Sequence, residues 1–238
     1  MMPFYKTLTP FYDEIFPANE KAVHFLSERF KKCGRIIDVG AGTGNMAVAL
    51  AKQGFELTAA EPEKGMAESI QQKAQSNQLP IAVSTKTMQQ VNQFDGNFDG
   101  IYCIGNTLVH LDNAEEIRLF FKHVYEKLNA GGMFIFQIVN FDKVLLKKDF
   151  RFPLIEKENF TFARQYDLAD SGHILFTTTV TANGEAKTNT IPLYPAQSSQ
   201  LLEMLEQCGF KEITAYGNFE DKAYSIETPA LIVTAKKE

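Results

Sequence analysis

The chain has 238 residues, 45% hydrophobic and 22% charged, with 20 phenylalanines, no tryptophan and a formal net charge of −5. That length supports one core domain carrying an inserted subdomain. The acidic balance argues against a protein whose affinity comes from neutralising nucleic-acid phosphates. Cys33, Cys103 and Cys208 are far apart, with no CxxC and no histidine at metal-ligand spacing, so neither a disulfide scaffold nor a metal site is expected.

The N-terminal "MMPFYKTLTPFYDE" lacks a basic stretch followed by an apolar run, and "MFIFQIV" is too short to span a bilayer, so the expectation is a cytoplasmic protein without a membrane partner. The basic clusters Lys31, Lys32, Arg35 and Lys143, Lys147, Lys148 read as solvated faces.

In chain order, Asn19 to Lys32 is an amphipathic helix with Val23, Leu26 and Phe30 at helical spacing. Arg35 to Val39 is a strand, Asn45 to Gln53 a helix, and Phe55 to Glu61 a second strand. Pro62 opens a helix over Glu63 to Gln75, where its missing N–H does no harm. Ile81 to Thr85 and Phe98 to Gly105 are strands; Asp112 or Asn113 caps a helix through Leu128; Met133 to Val139 is a fifth strand. Strands alternating with helices predict a parallel sheet covered on both faces.

The rhythm changes from Phe160 to Leu193, where strands alternate with turn signals at "ADSGH" and "ANGEA", an antiparallel insertion. A helix over Gln197 to Cys208 and strands Phe210 to Tyr216 and Ala230 to Ala235 follow. The expected architecture is α/β: a Rossmann-like, mostly parallel seven-stranded sheet formed by residues 1–145 and 195–238, with 146–194 as an inserted antiparallel β subdomain that covers the substrate.

"IIDVGAGTGNMAVALA" is a strand, a tight turn and a helix, with Gly40, Gly42 and Gly44 bare where a ligand approaches. A dinucleotide fold prefers G-x-G-x-x-G; here Asn45 stands at the third glycine's place, which favours S-adenosylmethionine over a nicotinamide cofactor. Glu61, twenty-one residues after Gly40 at the next strand end, suits the ribose hydroxyls of either.

"DVGAGTG", Glu61, "FDGIYCIGNTLVHL" and "LNAGGMFIF" together are similar to the ordered motifs of class I S-adenosylmethionine-dependent methyltransferases. The resemblance implies S-adenosylmethionine as cofactor and S-adenosylhomocysteine as product. Gly40, Ala41 and Gly42 would line its methionine part, with Asp38 holding the turn or the amino group. Glu61 and Pro62 would lie at the ribose, and Met66 on one adenine face. "STKTMQQ" lacks the acidic residue often found near the adenine, leaving Thr87 and Met88 as the wall.

"CIGNTLVHL" is similar to a segment of the glycine and sarcosine methyltransferases, which implies Ile104 and Gly105 beside the sulfonium, Asn106 orienting the acceptor and His110 at the pocket rim. Asn106 is equally a turn former, and His110 equally a backbone-bonded histidine. "VNFDKVL" resembles their Asn-Tyr-Asp segment and marks Asn140. Val139 stands where the glycine enzymes carry a substrate-gripping arginine, so glycine itself is not the expected acceptor.

Tyr5, Phe11 and Tyr12 either close over the pocket or anchor the N-terminal segment, and Arg164 and Tyr166 either meet the substrate or lie on an outer face. The expected activity is methyl transfer to a small-molecule amine, carboxylate or hydroxyl, with no metal. A nicotinamide-dependent oxidoreductase and an inactive cofactor-binding protein stay open as alternatives, as does a homodimer built through the insertion.

Overall fold

The computed structural model describes residues 8–30, 34–148 and 152–238. Its main sheet has seven strands: β1 (Arg35–Val39), β2 (Glu56–Ala60), β3 (Ile81–Ser84), β4 (Phe98–Cys103), β5 (Leu128–Val139), β10 (Lys211–Tyr216) and β11 (Ala230–Lys236), in the spatial order β10-β11-β5-β4-β1-β2-β3. Strands β1 to β5 pair parallel, whereas β11 runs antiparallel to β5 and β10 antiparallel to β11. Ile36 and Ile37 of β1 are both fully buried and enter different apolar clusters, as a strand covered on both faces requires.

On one face pack α2 (Glu20–Phe30), α3 (Asn45–Ala51) and, through Ile70, α4 (Lys64–Asn77). On the other pack α5 (Ala114–Lys127) and α7 (Ser198–Gln207). A single turn of helix, α1 (Tyr12–Ile15), precedes α2. Strand order reverses between β1 and β4, and the crevice outside their carboxyl ends is where such sheets bind ligands.

Three local expectations are corrected. Pro62 does not open α4: Glu63 is the N-cap, its carboxylate accepting from the Met66 N–H at 2.8 Å, and Pro62 precedes it. β5 begins at Leu128, directly after α5, with no intervening loop. A short helix, α6 (Phe141–Lys147), follows β5 where no helix was expected.

The second sheet has the order β6 (Ile155–Glu156), β7 (Phe160–Leu168), β8 (Ile174–Ala182), β9 (Glu185–Leu193), all antiparallel. Asn183 and Gly184 form the two-residue turn between β8 and β9 with φ of 52° and 77°, the left-handed pair that such a hairpin needs. Its outer face carries threonine pairs, Thr177 with Thr190 at 2.8 Å and Thr179 with Thr188 at 2.9 Å. Its inner face, with Phe160, Phe162, Tyr166, Ile174 and Val180, joins the same apolar cluster as α5, β4 and β5. All four strands lie within 146–194, and that segment shares the main sheet's core.

Candidate active site

The turn after β1 is shaped for close approach. Gly40 and Gly42 have φ of 76° and 57°, a left-handed conformation costly for residues with a Cβ. The N–H groups of Gly40 and Ala41 donate to the Ala60 carbonyl at 2.9 and 3.1 Å, which fixes the turn against the end of β2. Glu61, the next residue, is buried: its Oε2 accepts from the Gly42 N–H at 2.8 Å and its Oε1 from the Glu63 N–H at 2.9 Å. A carboxylate has about four lone-pair sites, so each oxygen retains acceptor capacity.

This turn borders a cavity of about 360 Å³ at the carboxyl ends of β1, β2 and β4. Gly40, Gly42, Glu61 and Pro62 line it from the first two strand ends, and Met66 from α4. Thr87 and Met88 line it from the segment after β3, and Ile104, Gly105 and His110 from the segment after β4. Tyr12 lies against Gly42; a Cβ there would meet its hydroxyl at 2.7 Å.

The N-terminal segment is held by polar contacts far apart in sequence. Asp13 pairs with Lys73 and bonds the Thr43 hydroxyl, Lys73 also donates to the Thr43 carbonyl and Asn45 Oδ1, and Asn45 Nδ2 donates to the Phe16 carbonyl at 2.9 Å. Asn45, the residue that breaks the dinucleotide spacing, thus anchors α1 over the turn.

Other expected site residues lie outside the cavity lining. Asp38 is buried beneath the turn beside the buried Tyr102 hydroxyl, which favours its charged form. Ala41 packs toward the opposite face, against the α2 and α3 cluster. Asn106 accepts from the Val139 N–H at 2.9 Å and donates to the Tyr166 hydroxyl at 3.4 Å, tying the ends of β4 and β5 to the second sheet. Asn140 is buried, caps α6, and donates to the carbonyls of Ser225, Ile226 and Thr228. Arg164 and Tyr166 lie on the inner face of β7. Tyr5 lies outside the described residues.

The cavity also meets Glu63, Lys86, Gln89 and Thr107, which sequence reading passed over. The T-x-x-Q signature at Thr87 and Gln90, a capping box starting a 3-10 turn, was a legible sign of how Lys86 to Gln89 would be presented.

Burial governs the electrostatics. It pushes Glu61 and Asp38 each up to about 7, the charge of Glu61 adding to the effect on Asp38 and that of Glu63 to the effect on Glu61. It pushes His110 down to about 4, so the imidazole is neutral at physiological pH. The Tyr12 hydroxyl is raised by burial and by the adjacent carboxylates Glu61 and Asp38. Among the described residues no cluster of histidine, cysteine, aspartate and glutamate fits a metal.

These residues fit S-adenosylmethionine. Gly40 and Gly42 line the cavity where an amino-acid tail would lie, Glu61 retains lone pairs for a diol, and Pro62, Met66, Met88 and Ile104 offer apolar faces for a purine. The volume falls in the range of small-molecule pockets.

Residues 36–132 match the family described as "Methyltransferase domain". Fold, turn and matched domain together support a class I S-adenosylmethionine-dependent methyltransferase that uses S-adenosylmethionine as its cofactor. It is 25% identical to YqeM of Bacillus subtilis (strain 168), a candidate methyltransferase, over 98% of this chain and 97% of that one. It is 22% identical to a glycine/sarcosine N-methyltransferase of Aphanothece halophytica, over 86% and 76% of the two chains. An S-adenosylmethionine-dependent methyltransferase from Clostridium acetobutylicum ATCC 824 shares the fold, with a TM-score of 0.82 at 16% identity over 98% of each chain. Among the described residues no helix is long and apolar enough to cross a membrane.

Proposed function

We propose that this enzyme methylates the nitrogen of a small-molecule amine in the cytoplasm, with the cavity at the carboxyl ends of β1, β2 and β4 as its site. The observation that carries the reading is His110: a half-buried, neutral imidazole in the wall of the same cavity as the glycine turn and Glu61. Bound S-adenosylmethionine supplies a methyl group already activated on a sulfonium. What remains for the protein is to align the acceptor and exclude water.

An imidazole with a pKa near 4 is a weak base and a poor match to the proton of an alcohol, whereas an amine that arrives neutral needs only an acceptor to orient it. Tyr12, in the cavity wall, is the covering element. The name of the Aphanothece halophytica relative, an N-methyltransferase of amino acids, supports nitrogen as the target atom. The acidic net charge argues against a nucleic-acid acceptor.

The test is to incubate the protein with methyl-labelled S-adenosylmethionine and separate panels of small amines, small alcohols, carboxylic acids and RNA. The reading expects label in the amine panel. Label confined to alcohols or RNA contradicts it.

A further inference from the structure

The cavity wall follows the strand order. Because β1, β2 and β3 are neighbours in the sheet, the turn after β1, Glu61 after β2 and the segment after β3 stand in one row. With an amino-acid tail on the turn and a ribose diol at Glu61, the purine, attached to the far side of the ribose, falls at the β3 end. Met66 and Met88 are the apolar surfaces there, and Lys86, Thr87 and Gln89 the polar ones.

The polar edge offers donors and no carboxylate. From Ile81 to Phe94 the sequence carries no aspartate or glutamate. Among the described residues the acids in the cavity wall are Glu61, which accepts from the Gly42 and Glu63 N–H groups, and Glu63, which caps α4. Thr87 is engaged within its own turn: its N–H donates to Gln90 Oε1 at 3.0 Å and its hydroxyl oxygen accepts from the Gln90 N–H.

Lys86 has no such partner. It is half-buried, its Nζ lies 5.1 Å from the Phe94 ring centroid, and among the described residues no carboxylate pairs with it. A ring face attracts the charge without taking up the N–H donors, so the ammonium keeps them for a ligand. The capping box that follows fixes the chain at Thr87 and so the base of the Lys86 side chain.

The two common purine types differ at the edge such a side chain meets. A 6-aminopurine presents an acceptor, N7, beside a donor, the amino group. A 6-oxopurine presents two acceptors, N7 and O6. Lysine, which only donates, matches the second, and a glutamine amide, which donates and accepts, matches the first. This wall carries both, as Lys86 and Gln89.

We propose that Lys86 donates to the O6 and N7 edge of a 6-oxopurine, so that the site takes a second cofactor class, the hypoxanthine-bearing counterparts of S-adenosylmethionine and S-adenosylhomocysteine, alongside the adenine forms. This proposal rests on the assignment of the cavity to S-adenosylmethionine.

The experiment is calorimetric titration of wild type, K86M and K86R with S-adenosylhomocysteine and with S-inosylhomocysteine, its 6-oxo counterpart, at neutral pH and constant ionic strength. Wild type is expected to bind the two within about fivefold of each other. K86M keeps the apolar stem and loses the donors, and is expected to weaken the 6-oxo ligand by at least about tenfold and the 6-amino ligand by less than about threefold. K86R keeps donors and is expected to retain the 6-oxo ligand within about fivefold of wild type. Retained S-adenosylhomocysteine binding shows that each variant is folded.

A wild type that prefers the 6-amino ligand by more than about fivefold, 6-oxo binding that survives in K86M, or a K86M that weakens both ligands by the same factor would each overturn the proposal. A wild type that binds neither ligand would overturn the cofactor reading of the cavity, and the proposal with it.

Discussion

The γ-methyl of Thr107 occupies the space where a side chain at residue 40 would begin: a Cβ on Gly40 would lie 2.3 Å from Thr107 Cγ2. Thr107 has little freedom to yield, because its hydroxyl donates to the Ile104 carbonyl at 2.9 Å. The turn after β1 and the segment after β4 therefore meet at contact distance beside the cavity.

Gly40→Ala is expected to cost about 2–4 kcal/mol of stability, combining left-handed strain with overpacking. Adding Thr107→Ala should recover the overpacking share and leave the strain. Urea denaturation of the three variants checks this, and a neutral G40A would show that the turn relaxes freely.

Protonation links the site to pH with signs that differ between groups. Glu61 and Asp38 titrate near 7 in the fold against ordinary values of 4.5 and 3.8, so between those limits the native protein holds protons that the unfolded chain has lost. Their contribution therefore falls as pH rises through that window. His110, lowered from 6.5 to about 4, acts oppositely: its contribution is lost as pH falls from 6.5 toward 4. Cofactor hydroxyls favour ionised Glu61, so affinity for S-adenosylhomocysteine should weaken below pH 7 by about tenfold per pH unit for each proton taken up. Calorimetry in buffers of different ionisation enthalpy counts those protons, and Glu61→Gln should reduce the count.

For catalysis, His110→Ala is expected to lower kcat by about ten- to a hundredfold, the low end of an acid–base contribution, since a neutral imidazole here orients more than it removes protons. The deficit should be constant across pH 6–9, with the rising limb of the wild-type profile set by the acceptor amine. A limb near 6.5 that disappears in the variant would show a base of ordinary pKa instead.

Asn140→Ala should act on the fold. Besides its three carbonyl partners, Asn140 Oδ1 accepts from the Lys143 N–H at 3.0 Å and the Tyr224 hydroxyl at 2.8 Å. Its loss strands several buried groups and is expected to cost about 2–4 kcal/mol, with S-adenosylhomocysteine affinity of the folded variant changed by less than about twofold. A large affinity change with little destabilisation would place it in the binding machinery.

What was legible in the chain was local. Gly40, Gly42 and Glu61 follow from strand–turn–helix spacing, and Met66 from the family resemblance, which puts it on the first turn of the helix after β2. What was not legible depends on distant partners. α6 is seven residues long and starts at an Asn140 cap fastened to Ser225–Thr228, more than 80 positions away. The alternation of β7 announced two faces, but Phe16 packing on Phe162 decides which is inside and therefore where Arg164 goes. The Asp13–Lys73–Asn45 contacts that hold α1 over the turn join three segments with no shared pattern.

The most direct test of the site is calorimetric titration of wild type and Glu61→Ala with S-adenosylmethionine, S-adenosylhomocysteine and NAD. The structure predicts binding of the first two and not of NAD, weakened by about ten- to a hundredfold in the variant as charge-assisted hydrogen bonds are lost. Binding of NAD alone, or an affinity for S-adenosylmethionine indifferent to residue 61, would contradict it.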